Sequence, residues 1–139
     1  MPVLFQTIIK RTDLVRNRDV LYVFGDNVQR RGFGGQAREM RREPNAVGIV
    51  TKLTPELYFG DTPEEVVAQN RMIDEDMKPL FAKVKAGGVV VWPADGVGTG
   101  LAQLSVRAPR TFDYLSHKLA ALLKAADLFN QETPDGAGH

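Results

Sequence analysis

Residues 19–37 read DVLYVFGDNVQRRGFGGQA. The first six are apolar and β-favouring apart from Asp19, the pattern of a strand covered on both faces. Gly25, Asp26 and Asn27 end that run, Arg30 and Arg31 follow, and then Gly32, Gly34 and Gly35 fall within four positions. Gln36 to Arg42 is rich in helix formers and should stop before Pro44, because the residue preceding a proline avoids the α region. A buried strand that turns through glycines into a helix is the repeating unit of an α/β domain. Its loop bares backbone N–H groups to whatever lies beyond the strand end.

The flanking chain continues the alternation. Val3 to Ile9 is β-rich and suits a first strand at an edge, with one helical turn around Thr12 and Asp13. Ala46 to Thr51 predicts a short buried strand. Leu53 to Thr62 is loop-like and holds Tyr58 and Phe59. Thr62-Pro63-Glu64-Glu65 is a helix start, with the N-cap hydroxyl, the first-turn proline and the capping glutamate in place. Helical spacing then runs to Val84, where Pro79 should kink or divide the helix. Val89 to Trp92 predicts the most interior strand, with Trp92 in the core. It leads into a second glycine-rich loop, PADGVGTG (93–100), and a final helix from Arg107 to Ala126. Residues 1–130 form one domain in this reading, and 131–139 a disordered tail.

The chain has 139 residues, 18 basic and 17 acidic, for a formal charge of +1. No global charge points to nucleic acid or acidic lipid, and a cytoplasmic location is expected. The basic residues Arg30, Arg31, Arg38, Arg41 and Arg42 nevertheless crowd one segment. The absence of cysteine excludes disulfides and thiolate chemistry, and two histidines, His117 and His139, cannot build a His-rich metal site. No run approaches a membrane span.

In an open α/β sheet, ligands bind beyond the carboxyl ends of the strands. If the strands before the two glycine loops run parallel, both loops reach one edge. Gly25, Gly34, Gly35, Gly96, Gly98, Thr99 and Gly100 would then offer amides to an anion. Neither loop is a Walker loop, since no Gly-Lys-Ser/Thr follows. Thr51-Lys52 stands where a dinucleotide fold would carry an acidic residue. Asp26 can act as a general base or grip a ribose diol; equally, it can make a turn. Asp95 is a second loop carboxylate, and the pair can hold Mg²⁺ or stabilise turns, though no metal or cofactor is expected. Arg31 can close over a diphosphate, and Gln36 can donate to a phosphate or base. Tyr58 and Phe59 can stack on a base or pack beneath their loop. For Arg38, Arg41 and Arg42 a solvated helix face is the favoured account.

VFGDN with GFGGQA, and later VVVWPADGVGTGL, resemble the two loop elements of macro domains, over about Asp19 to Leu123. A group of phage and bacterial proteins with the pattern F-G-D-N…G-x-G-G-Q-A…E-P-N-A is similar too. The macro resemblance implies a single-domain three-layer α/β/α sandwich with a mixed central sheet. It also implies binding of ADP-ribose or a related NAD-derived nucleotide, in some members with hydrolysis of an ADP-ribosyl bond. Under it, Asn27 addresses the distal ribose, Gly34 and Gly35 the first side of the diphosphate, and Gly96, Gly98, Thr99 and Gly100 the second. The family's small residues are replaced here by Phe24-Gly25-Asp26. Its acidic residue for adenine has Asp13 or Asp19 as candidates. In the enzymatic version Asp26 and Asn27 position a water. Two other classes stay open: a non-catalytic interaction protein docking an acidic protein or RNA through the arginine segment, and a transferase using Asp26 and Asp95 with Mg²⁺.

Overall fold

A computed structural model describes residues 3–132. In chain order these form β1 (Val3–Gln6), α1 (Arg11–Arg16), β2 (Leu21–Asn27), α2 (Ala37–Met40), β3 (Ala46–Lys52), α3 (Pro63–Lys85), β4 (Val90–Pro93), α4 (Leu104–Arg107) and α5 (Pro109–Glu132). The four strands make one sheet in the order β1-β4-β2-β3. Every ladder among the described residues is parallel. This corrects the expectation of a mixed sheet. Each passage from one strand to the next contains a helix that carries the chain back to its starting end, so successive strands keep one direction. The single antiparallel bridge, Lys52 with Tyr58, belongs to no named strand.

Period-two alternation divides the core between the two faces of the sheet. Tyr22, Phe24 and Val91 cluster with Leu14, Ala37 and Met40 of the short helices α1 and α2. Val23, Val90 and Trp92 cluster instead with Ile73, Met77, Leu80 and Val84 of α3 and with Leu115 and Leu122 of α5. Each fully buried side chain of this size contributes about 1.5–3 kcal/mol relative to exposure.

The helix starts follow their sequence cues. The Glu65 N–H donates to Thr62 Oγ1 and the Thr62 N–H to Glu65 Oε1, both at 3.2 Å, closing a capping box around Pro63. Pro79 does not divide α3, which is continuous from Pro63 to Lys85. The carbonyl that loses its donor to Pro79 belongs to Glu75, an exposed residue. The expected final helix is two helices, because Pro109 opens α5 at a position that needs no N–H donor. α5 runs through Glu132 and past the expected tail boundary; 133–139 lie outside the described residues. No helix among the described residues is long and apolar enough to cross a membrane.

At the β3 edge, Asp76 of α3 accepts the Val50 N–H at 2.9 Å through Oδ2. Its Oδ1 accepts from Arg30 Nη2 at 2.6 Å. The opposite edge is β1, where Leu4 and Phe5 are exposed.

Candidate functional site

The parallel arrangement puts the carboxyl ends of β2 and β4 side by side, with Leu21 opposite Val90 and Tyr22 opposite Val91. The loops that leave these ends enclose an open cleft of about 290 Å³. From the first loop and the end of β2 it is lined by Gly25, Asp26, Asn27, Arg31, Gly34, Gly35 and Gln36. Asp95, Gly96, Gly98, Thr99 and Gly100 line it from the second. All twelve residues singled out in the sequence therefore meet at one place. Arg41, Thr51, Lys52 and Leu101 join them.

β2 extends through Asn27, so Asp26 and Asn27 are strand residues and both are buried. The Asp26 carboxylate is heavily engaged. Arg41 Nη2 donates to Oδ1 and Arg41 Nη1 to Oδ2 at 3.3 Å, a bidentate fork. The Asn27 N–H donates to Oδ1 at 2.8 Å, and Arg30 Nη1 lies 3.6 Å from Oδ2. Gly48 of β3 is small for the same reason: a Cβ there would stand 2.6 Å from Asp26 Oδ2. Arg41, expected on a solvated face, is buried and also donates from Nε to the Gly32 carbonyl at 2.6 Å. Its planar fork ties the strand end to the glycine loop.

Asn27 is placed differently. Its Nδ2 donates to the Arg31 carbonyl at 2.7 Å, which fixes the orientation of the amide. Oδ1 is buried and has no hydrogen-bond partner among the described residues. A buried acceptor left unpaired costs about 1–3 kcal/mol; this one has almost no accessible surface, so a donor from a bound molecule meets it only after the cleft wall shifts. Gln36, by contrast, is engaged at both ends of its amide: Oε1 accepts the Gly25 N–H at 3.0 Å and Nε2 donates to the Gly96 carbonyl at 3.3 Å. It pins the two loops together rather than facing a ligand.

The second loop is shaped by its glycines. Gly96 and Gly98 have φ of 92° and 80°, and a Cβ on Gly98 would lie 3.1 Å from both Leu104 Cβ and Thr51 Cγ2. Thr99 Oγ1 donates to the Asp95 carbonyl at 2.7 Å, while the Asp95 side chain is exposed. Among the described residues nothing accepts from the backbone N–H groups of Gly34, Gly35, Gly98, Thr99 or Gly100. Two groups of unengaged donors thus line the cleft, with the unpaired Asn27 oxygen buried beneath its wall.

The remaining candidates separate from this centre or carry other duties. Arg31 lines the cleft mouth and pairs with Glu56 at 3.4 Å. Phe59 is buried in the core, and Tyr58 lies under the cations of Lys52 and Arg107, 5.0 and 4.1 Å from its ring centre. His117 is exposed on α5, with Nδ1 2.8 Å from the Asp113 carbonyl. Among the described residues no group of three or more His, Asp or Glu side chains could hold a metal ion. Arg41 and Lys52 were not singled out for the site from sequence. Nothing local distinguishes Arg41 from its four arginine neighbours; its partner lies fifteen positions away in the chain.

Comparison with curated proteins and with solved structures gives no match. Residues 4–118 match a family model described as a family of unknown function, DUF7831. That span covers most of the chain, which therefore belongs to the DUF7831 family.

Proposed function

We propose that the protein binds an ADP-ribose-type or other NAD-derived nucleotide in the cleft between its two glycine-rich loops, within a macro-like three-layer arrangement. The observation that carries this reading is the set of unengaged backbone donors that two loops bring to one cleft. Unengaged amides of Gly34, Gly35, Gly98, Thr99 and Gly100 suit a diphosphate. The Asn27 oxygen, unpaired just beneath the cleft wall, gives a ribose hydroxyl an acceptor once that wall shifts. The cleft volume of about 290 Å³ stands at the small end of ligand pockets.

Binding without turnover is the version the geometry favours. The Asp26 carboxylate already receives Arg41 and the Asn27 amide, so three of its roughly four acceptor sites are taken within the fold. The arginine segment also gives little support to an acidic docking partner. Arg30, Arg31 and Arg41 are matched by Asp76, Glu56 and Asp26 of the same chain.

The test is calorimetric and thermal titration with ADP-ribose, comparing wild type with Asn27→Ala. ADP-ribose at about 100 times its Kd raises stability by roughly 2.7 kcal/mol. Asn27→Ala weakens affinity at least about tenfold, about 1.4 kcal/mol. It loses only about 0.5–1.5 kcal/mol of stability, for the bond to Arg31. No shift with ADP-ribose, NAD⁺ or ADP at millimolar concentration would refute the reading.

A further inference from the structure

The nucleotide reading leaves the base without a place. The Asp13 carboxylate, one sequence candidate for it, accepts the Lys10 N–H at 2.9 Å and Gln6 Nε2 at 3.0 Å at the start of α1. Asp19 precedes β2, at the amino end of a seven-residue strand whose other end meets the cleft. At about 3.3 Å per residue that separation is on the order of 20 Å. Neither residue lines the cleft.

A second concavity lies on the other side of the second glycine loop. It is a groove of about 130 Å³ walled by Trp92, Val97, Phe112, Leu115, Ser116 and Leu119. At roughly 30 Å³ per water it holds about four waters, or one bicyclic heteroaromatic ring. The groove and the cleft share Gly96 and Thr99, so the short 96–99 turn is the partition between them. Ser116 Oγ is occupied, donating to the Phe112 carbonyl at 3.0 Å, which leaves the walls apolar. Phe112 of α5 supplies the aromatic surface for a flat ring, and Trp92, 2% exposed, lies in the floor beneath it. Asp95 stands at the start of the partition, on the cleft side.

We propose that this Trp92–Phe112 groove is the base-binding subsite: a nucleotide whose diphosphate lies on the Gly98–Gly100 amides passes over Thr99 and seats its purine against Phe112, above the buried Trp92. This rests on the nucleotide reading and adds the direction in which the ligand runs, across the second loop toward α5. Recognition is mainly by shape and stacking, because the only side-chain hydroxyls on the groove walls, Ser116 and Thr99, already spend their donors on backbone carbonyls. Discrimination among purines is accordingly weak, and ligands without a base lose the whole contribution.

Trp92 is the only tryptophan in the chain, so its fluorescence reports the groove alone. The experiment titrates the full protein with ADP-ribose and with pyrophosphate, following emission and heat, in wild type and in Ser116→Phe. Ser116 is exposed on α5, and a phenyl ring there fills the groove without entering the core. ADP-ribose is expected to change Trp92 emission while pyrophosphate does not. Ser116→Phe is expected to weaken ADP-ribose at least tenfold and leave pyrophosphate unchanged. Both results are required. If ADP-ribose binds with heat but Ser116→Phe binds it equally well, or emission stays flat, the base sits elsewhere and only this proposal falls. If neither ligand produces heat or a thermal shift, the nucleotide reading falls and this one with it.

Discussion

Replacing Arg41 by methionine tests the claim that Asp26 is a structural carboxylate and not a free base. Methionine keeps much of the aliphatic volume and removes the fork. Asp26, 6% exposed, would retain only the Asn27 N–H and Arg30, whose nearest nitrogen is 3.6 Å away. Breaking a buried pair from one side costs about 3–5 kcal/mol, since a charge is left without compensation. The lost bond to the Gly32 carbonyl adds about 1 kcal/mol. Arg30 and water entering from the open cleft offset part of this, so the expected loss is about 3 kcal/mol. For a chain of this length that is roughly 10 °C in melting temperature. Urea unfolding with an unchanged slope measures it. Asp26→Asn combined with Arg41→Met should lose less than the sum of the single changes, with a coupling of about 1.5–3 kcal/mol. A loss below about 1 kcal/mol with no coupling would refute the argument. It would also return Asp26 to the list of groups able to activate a water.

Three further outcomes are expected. Gln36→Leu removes the two bonds that tie Gly25 to Gly96; stability falls by about 1–2 kcal/mol and ADP-ribose affinity falls several-fold by calorimetry, because the loops no longer hold one spacing. Gly98→Ala forces a side chain into φ 80° against Leu104 and Thr51, with an expected loss of about 1–3 kcal/mol in urea unfolding. The hydrogen bond of Tyr114 to Asp74, with burial second, raises its hydroxyl pKa to about 12. Because the folded value exceeds the unfolded one, this stabilisation is complete below about pH 10 and is lost as pH rises through about 12. Ultraviolet titration of the folded protein should show one tyrosine ionising late, and Asp74→Asn should bring it back toward the ordinary value.

The fold was legible where a local pattern has a single physical meaning. The run from Val20 to Phe24, the Thr62–Glu65 box and the glycine pairs after each central strand determine their own neighbourhoods. The parallel sheet then brings the two loops together, so twelve residues chosen for loop chemistry line one cleft. What escaped was chemistry that depends on distant partners. Nothing near Asp26 in the chain shows that Arg41 stands across from it, and nothing near Gln36 shows that its amide bridges Gly25 and Gly96. Pro79 was expected to kink or divide its helix, and α3 runs through it undivided because the packing of its apolar face against the sheet and α5 outweighs one lost bond. The sheet direction expected from the macro resemblance failed because helices join every pair of successive strands.

Asp76 has a consequence for how copies of this protein can meet. A sheet with two open edges can add neighbours on both sides and grow without limit. Here the outer edge of β3 has its Val50 amide taken by a carboxylate from α3, and the same carboxylate is held by Arg30. A foreign strand arriving there would find a negative charge where it needs a donor. Edge pairing is left to β1, and a body with one sticky side can form couples but not chains.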